Sequence, residues 1–143
     1  MIGPFDGKYR WLSNFYVSDV EYEGVIYKTA EHAFQAAKSL NPERRKWVEE
    51  AEYPAQAKKR GRQLVIREDW EDVRISIMEE ILINKFAKSP LKEMLLDTGD
   101  EELVEVNWWG DKFWGACDGC GENNLGKLLM KVRNKLKILE VDE

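Results

Sequence analysis

The sequence predicts an α+β fold, mostly helical with a few short strands, built as a single domain over residues 1–143. The length suits one domain with a real core and is too short for two ordinary ones. Apolar residues make up 43% and charged residues 34%, which excludes wholesale disorder. Most apolar positions recur at helical spacing, and only two short stretches read as strands.

The first half of the chain predicts a hairpin followed by three helices. Residues Val20–Tyr27 alternate apolar and polar side chains around Gly24, which is typical of a short hairpin. Thr29 suits an N-cap that accepts from the backbone N–H of Glu31 or His32, so a helix should begin there and run to about residue 38. Prolines at 42 and 54 suit first helical positions and predict short helices near 42–52 and 54–63.

The second half predicts three more helices and one strand. Asp69 and Asp72 resemble a capping pair before a core helix that ends near Pro90. A short helix near 90–97 and a brief strand at 103–106 precede an irregular segment, and the last helix should begin near residue 122 or 123. The predicted buried stripes are Ile75, Met78, Leu82 and Phe86 in the core helix, and Leu125, Leu128, Leu129, Val132, Leu136 and Leu139 in the last helix.

Charge and hydropathy narrow the function. A net charge of -5 and a pI near 5.1 argue against a general nucleic-acid-coating surface, although a local basic pocket stays possible. No apolar run has the length of a membrane span or secretory leader, so we expect a cytoplasmic protein without a membrane partner. We expect no cofactor, and the oligomeric state is not readable, with a monomer as the default.

Two cysteines, Cys117 and Cys120, have the C-x-x-C spacing of a redox pair or half of a zinc site. The chain has no second such pair and a single histidine, His32, so a zinc site would need an unusual ligand set. No strand-then-helix pattern surrounds the pair, which argues against a thioredoxin-like role.

The stretch Thr29–Lys38 is the most informative for chemistry. Helical spacing sets Glu31, Gln35 and Lys38 along one strip, beside an apolar face. Glu31 falls at the second helical position, where the helix N-terminus favours the ionised carboxylate. A carboxylate and an amine could then face one ligand, but a solvated pair that merely complements the helix dipole is the simpler interpretation.

Residues 58–67 carry five cations without an acidic residue between them, in a chain that is otherwise acidic. A solvated helix face explains most of them, while one or two could hold a phosphate, for which arginine is well shaped. The cations are Lys58, Lys59, Arg60, Arg62 and Arg67.

The irregular segment 107–121 holds three tryptophans and four glycines. Such rings are easier to explain as walls of a cavity that stack on a base, although Trp108 and Trp109 could equally cover the core. Asp111 should be either ligand-facing or exposed at a turn. Asn123 and Asn124 could cap the last helix or contact a ligand.

Five separated motifs in one order resemble the NADAR, or YbiA-like, family over nearly the whole chain. They are Leu-Ser-Asn-Phe at 12–15, Tyr-Lys-Thr-Ala-Glu-His-x-Phe-Gln-Ala-x-Lys at 27–38, Gly-Arg at 61–62 with Asp-Trp at 69–70, Asp-Lys-Phe-Trp-Gly at 111–115, and Gly-x-Asn-x-Leu-Gly-x-Leu-Leu-Met at 121–130. One departure is that Trp-Gly-Ala-Cys-Asp-Gly-Cys-Gly replaces an expected Trp-Gly-Asp-Gly, which leaves the role of Asp118 and the leaving group open.

The resemblance implies an N-glycosidase that cleaves the bond between ribose C1 and a nitrogen. The implied substrates are phosphorylated ribosylamino-pyrimidine intermediates of riboflavin synthesis, or ADP-ribose attached to guanine, including guanine in nucleic acid. The implied catalytic residues are Glu31, Lys38 and Asp111, and the implied substrate-binding residues are Asn14, Phe15, Arg62, Trp70, Trp114 and Asn123.

In this interpretation Glu31 stabilises a cation-like sugar, and Lys38 could attack C1 to form a Schiff base if burial lowers its pKa. The alternative is a binding module that recognises ADP-ribose or a related nucleotide without cleaving it. Such a module would not need Glu31.

Overall fold

The computed structural model describes residues 1–141, and within that range it confirms the α+β, mostly helical prediction. A 3₁₀ helix, Gly7–Leu12, is followed by two strands and six α-helices. They are β1 (Val20–Tyr22), β2 (Val25–Tyr27), α1 (Ala30–Ala37), α2 (Pro42–Glu49), α3 (Pro54–Gly61), α4 (Trp70–Phe86), α5 (Leu91–Asp97) and α6 (Asn124–Val141). Each helix in this range is too short or too polar to cross a lipid bilayer.

The chain divides into two compact units. One unit runs from Asn14 to Lys85 and contains the hairpin, α1, α2, α3 and nearly all of α4. The other combines residues 1–13 with the chain from Phe86 onward, and so contains the 3₁₀ helix, α5 and α6.

The predicted hairpin is confirmed. Strands β1 and β2 are antiparallel, with Val20 opposite Tyr27 and Tyr22 opposite Val25. Its two-residue turn places Glu23 at φ 48° and Gly24 at φ 84°, the left-handed pair that suits the twist of a tight hairpin. Val20, Tyr22 and Tyr27 are buried.

Helix α1 is the centre of the Asn14–Lys85 unit. Thr29 caps it as predicted, because its hydroxyl accepts from the His32 N–H at 3.1 Å. All eight residues from Ala30 to Ala37 are buried, and the helix packs against both α2 and α3. A helix buried on every side carries its polar residues inside the unit, so Glu31 and Gln35 need internal partners.

Helices α2 and α3 begin at the predicted prolines, and Asn41 caps α2 by accepting from the Glu43 N–H at 2.8 Å. Before α4, the Asp69 carboxylate oxygens accept from the Arg67 guanidinium at 2.6 and 3.0 Å, and the Asp69 carbonyl accepts from the Asp72 N–H at 2.9 Å. The predicted buried stripe of α4 is wrong at one place, because Ile75 is 41% exposed while Ile81 is buried.

The second unit also differs in two places. Residues 103–106 form isolated bridges, Ile2 with Leu103 and Val106 with Ala116, instead of the predicted strand. The apolar stripe of α6 is buried from Leu125 to Leu136, but Leu139 is 59% exposed. The helix itself begins at Asn124, one residue after the predicted start.

Candidate functional site

The start of α1 is fixed by a closed set of hydrogen bonds around His32. Its Nε2 lies 2.9 Å from the carbonyl oxygen of Ala51, which can only accept, so Nε2 carries the proton. Nδ1 then accepts from the Thr29 hydroxyl at 2.7 Å. Burial lowers the pKa of His32, which keeps the ring neutral at neutral pH.

This arrangement bears on the zinc interpretation. Both ring nitrogens of His32 are already engaged within the fold, so the histidine is not available as a zinc ligand. Across residues 1–141, no group of three or more histidine, cysteine or acidic side chains is close enough together to hold a metal ion.

Glu31 occupies the second position of α1, as predicted, and is only 8% exposed. Its backbone N–H donates to the carbonyl of Asn14 at 3.0 Å, which joins the segment before the hairpin to the start of the helix. Its carboxylate accepts from Gln35 Nε2 at 2.7 Å. Because the side chain is buried and oriented by an amide, the solvated-pair interpretation is wrong for Glu31.

Gln35 gains a role that helical spacing alone does not assign. It lies one turn beyond Glu31, and its amide holds the carboxylate oxygen in place. The other side of its amide lies against Gly61 of α3, where any Cβ would overlap the Gln35 side chain. Glycine at position 61 therefore lets α3 approach α1 closely enough to pin Gln35 against Glu31.

Lys38 follows the last residue of α1 and is half-buried. Its backbone is fixed on both sides, because its N–H donates to the Gln35 carbonyl at 3.2 Å and its own carbonyl accepts from the Arg67 N–H at 2.8 Å. Burial lowers the pKa of the Lys38 amine. A lowered pKa increases the fraction of neutral, nucleophilic amine at neutral pH.

Three charges also act on the pKa of Lys38. Glu31 raises it, whereas Arg62 and Lys58 lower it further. Lys58 lies on α3 and Arg62 is its C-cap, four residues further on, at the spacing that places two side chains on one face of a helix. Neither forms an ion pair or a side-chain hydrogen bond with any of the residues that the structure describes. The surroundings of Lys38 therefore combine one carboxylate with two cations.

Both remaining arginines of the basic run have partners within the fold. Arg60 donates to the Trp47 carbonyl at 2.7 Å and stacks over the Trp47 ring, and Arg67 pairs with Asp69. Lys59 is exposed. The phosphate-holding role that the sequence leaves open is therefore narrowed to Lys58 and Arg62.

Asn14 presents an unused polar atom next to the helix start. Its Nδ2 makes only a long contact with Met78 Sδ at 3.5 Å. Its Oδ1 is buried and has no hydrogen-bond partner among residues 1–141. A buried acceptor of this kind costs free energy unless a ligand or water supplies a donor, so a sugar hydroxyl would suit it.

Phe15 and Trp70, the two aromatic residues predicted to bind substrate in this unit, differ in exposure. Phe15 is 41% exposed and adjoins Asn14 in sequence. Trp70 is buried at the start of α4, and its ring lies against Phe34 of α1 with centroids 5.0 Å apart. In this structure Trp70 supports the helix that carries Glu31.

In the other unit, Asp111 organises the segment that contains Trp114. Asp111 Oδ1 accepts from the backbone N–H groups of Phe113 and Trp114 at 3.1 and 2.9 Å. Asp111 thus stabilises a turn through Oδ1, and its predicted role toward a ligand stays a prediction. The Trp114 ring is partly exposed and meets the Phe113 ring edge-on, with centroids 4.8 Å apart.

Asn123 also uses its side chain within the fold. Its Oδ1 accepts from the Glu105 N–H at 2.9 Å, and its Nδ2 donates to the Leu103 carbonyl at 2.9 Å. Its backbone has φ 52°, which asparagine tolerates better than most residues. Asn123 therefore holds segment 103–105 beside the start of α6, and its predicted substrate contact stays a prediction.

Trp108 and Trp109 do not cover the core. They are 72% and 62% exposed. The expectation that these rings avoid the surface is wrong. The glycine that follows them, Gly110, has φ 84°, a left-handed conformation that favours glycine.

Comparisons with known proteins point in one direction. The family model described as the NADAR domain matches residues 3–137. The N-glycosidase YbiA of Escherichia coli strain K12 is 35% identical over 134 residues, which cover 91% of this chain and 83% of that protein. The N-glycosidase Npun_R5314 of Nostoc punctiforme is 36% identical over 138 residues, covering 92% and 88%.

Two further comparisons agree. The riboflavin biosynthesis protein VVA0006 of Vibrio vulnificus is 39% identical over 136 residues, but these span only 37% of its length. The NMR structure of the Escherichia coli protein YbiA superposes with a TM-score of 0.88 at 32% identity, covering 99% of this chain and 86% of that one.

Proposed function

This chain belongs to the NADAR domain family, and on that premise we propose that it is an N-glycosidase that hydrolyses the C1–N bond of a phosphoribosyl or ADP-ribosyl substrate. The names of its relatives support the reaction class. One observation supports the mechanism most directly. The buried carboxylate of Glu31 lies at the start of α1, and Lys38, whose amine has a lowered pKa, lies at its C-cap.

In the proposed reaction the C1–N bond breaks with its electron pair going to nitrogen. A water molecule then adds its oxygen to C1, and its proton ends on the departing base. Positive charge develops on C1 and the ring oxygen of the sugar. The Glu31 carboxylate stabilises that charge more than it stabilises the neutral ground state, which lowers the barrier. Gln35 keeps the carboxylate in one orientation, so little reorganisation is needed as the charge appears.

Lys38 offers a covalent route for a ribosylamine that has opened its ring. The neutral amine attacks C1, the departing amine leaves with a proton, and a Schiff base joins C1 to Lys38 Nζ. Water then adds to C1 and releases the sugar and the free lysine. The lowered pKa of Lys38 supports this role, because only the unprotonated amine is a nucleophile.

The phosphate of the substrate has a counterpart in Lys58 and Arg62. Both are cations, one on α3 and one at its C-cap. Neither pairs with another described side chain, and both lower the pKa of Lys38. A phosphate monoester or diphosphate would neutralise this local excess of positive charge. Asp111, Trp114 and Asn123 are further proposed site residues, on the family resemblance alone. We also propose a cytoplasmic location.

A Glu31→Gln variant tests the proposed function. The amide retains an oxygen that can accept from Gln35 but carries no charge, so we expect kcat to fall by roughly 10²–10³-fold while ligand still binds. Base release from a phosphorylated ribosylamino-pyrimidine and from an ADP-ribosylated guanine oligonucleotide would be measured separately, with calorimetry for binding.

Glu43→Gln is the matched control, since Glu43 is an exposed carboxylate in the first turn of α2. It should leave turnover unchanged. Equal turnover by Glu31→Gln and the parent protein would contradict the catalytic role, and binding without base release by the parent protein would favour the non-catalytic module.

A further inference from the structure

Hydrolysis as proposed leaves one reactive feature unused, the cysteine pair at 117 and 120. These are the only cysteines in the sequence, and both are free thiols. The Cys117 N–H donates to the Cys120 carbonyl at 2.9 Å, and the Cys120 N–H donates back to the Cys117 carbonyl at 3.2 Å. The two residues therefore stand directly opposite each other across a two-residue turn.

The turn residues hold this pairing in place. Asp118 has φ 55° and Gly119 has φ 81°, so both central positions are left-handed. Asp-Gly is the sequence that favours such a hairpin turn. Side chains of directly paired residues lie on the same face of a hairpin, so the two thiols project to one side.

The backbone spacing suits a disulfide. A hydrogen-bonded antiparallel pair has its Cα atoms about 5.5 Å apart, within the range of roughly 4.4–6.8 Å that disulfides span. Its Cβ atoms stand about 4.5–5.5 Å apart, against about 3.5–4.5 Å in a disulfide. Closure needs a small inward movement without rebuilding the turn. The Cys120 thiol already donates to the Cys117 carbonyl oxygen at 3.7 Å, so Sγ points toward the backbone of its partner residue.

The two thiols differ in access. Cys120 is exposed and Cys117 is buried, so an external reagent meets Cys120 first. We propose that Cys117 and Cys120 are a reversible thiol–disulfide site whose oxidant is a low-molecular-weight disulfide. This inference does not depend on the proposed function.

The exchange takes two steps. The Cys120 thiolate attacks one sulfur of the small disulfide, forming a mixed disulfide and releasing one small thiolate. The Cys117 thiolate then attacks Cys120 Sγ, closing the protein disulfide and releasing the second thiolate. Two electrons pass from the cysteine pair to the small disulfide, and the protons of the two cysteine thiols end on the two released thiols.

Incubation of the folded protein with oxidised glutathione, followed by acid quench and mass spectrometry, tests the proposal. Trypsin cuts after Lys112 and Lys127, so both cysteines fall on one peptide, 113–127. We expect this peptide to lose the mass of two hydrogens, with loss of both titratable thiols and full recovery on adding dithiothreitol. Accumulation of a stable mixed disulfide, disulfide-linked dimers or unreacted thiols would each overturn the proposal.

Two variants check the order of steps. Cys117→Ser should stop at a mixed disulfide on Cys120, because the resolving thiol is gone. Cys120→Ser should leave Cys117 reduced while the protein is folded and should react only in urea. Rapid reaction of Cys117 in folded Cys120→Ser would contradict the proposed order.

Discussion

Burial lowers the pKa of two lysine amines, those of Lys38 and Lys85, but their surroundings differ. Lys38 is half-buried among charges of both signs, whereas Lys85 is 1% exposed and its ammonium lies 5.8 Å from the centre of the Tyr16 ring. Burial lowers the pKa of Lys38, and it lowers that of Lys85 to about 7. A carboxylate and two cations act on the pKa of Lys38, so substitution of these neighbours should change its reactivity.

Removing a negative or a positive charge beside Lys38 should shift the pH at which its amine reacts in opposite directions. Glu31→Gln removes the charge that raises the pKa of Lys38, so the amine should become reactive at lower pH. Arg62→Gln removes a charge that lowers it and should move reactivity to higher pH. Competitive acetylation of the lysines across pH 6–11 (about the range of amine titration), with peptide mass spectrometry, measures both shifts. Shifts of the same sign in the two variants would contradict the account.

Lys85 should make stability depend on pH. Its pKa is about 7 in the folded chain and about 10.5 unfolded, so the unfolded chain binds a proton that the folded chain lacks between these values. The free energy of unfolding should therefore rise with pH across this window. Lys85→Met should be more stable than the parent at pH 7, by up to about 1.4 kcal/mol for each unit of pKa shift.

Urea unfolding at several pH values checks this prediction. The advantage of Lys85→Met should be largest below pH 7 and should vanish near the unfolded pKa, while exposed Lys88→Met serves as control. An advantage that is independent of pH would mean that desolvation of the ammonium is not its cause.

Among the elements, the contact between α1 and α3 is the one on which the orientation of Glu31 depends. Gly61 allows the close approach, and Gln35 occupies the space that a Cβ would take. Gly61→Ala should force Gln35 away from Glu31, and we expect kcat to fall by roughly ten- to a hundredfold with the fold retained. Circular dichroism and steady-state kinetics measure the two effects.

A double-mutant cycle isolates the cause. If Gly61→Ala acts through Gln35, adding it to Gln35→Ala should cost little further activity. Full additivity of the two losses would show instead that Gly61 acts by another route.

Elements with local signals were predictable from sequence, and those that depend on distant partners were not. Thr29 as a cap, Glu31 at the second helical position and prolines at the starts of α2 and α3 follow from residue types within a few positions. The bridges at Leu103 and Val106 depend on Ile2 and Ala116, which lie far away in sequence. The local pattern of residues 103–106 does not show these distant partners, and so it predicted a strand.

The candidate site divides in the same way. Helical spacing placed Glu31 and Lys38 on one strip, but only tertiary packing buries Glu31 and pins Gln35 with Gly61. The cations of the basic run looked alike in sequence. Their different partners in the fold distinguish Arg60 from Lys58.

The molecule as a whole is acidic, but two cations, Lys58 and Arg62, act on the pKa of Lys38 and pair with no other described side chain. The net charge of -5 disfavours attraction of polyanions to the whole surface, whereas Lys58 and Arg62 provide a local attraction for one anionic group. This distribution fits an enzyme that takes a phosphorylated small molecule or a single modified nucleotide better than one that follows a nucleic-acid strand.

Reductive trapping tests the central claim, that α1 carries a carboxylate and a nucleophilic amine for one reaction. The protein is mixed with a phosphorylated ribosylamine and sodium borohydride, which reduces a Schiff base to a stable amine. We predict a sugar adduct on Lys38 that is absent from Lys38→Met, while Lys59→Met, a control at an exposed lysine, is labelled like the parent. An active enzyme that yields no adduct, or an adduct on another lysine, would contradict the account.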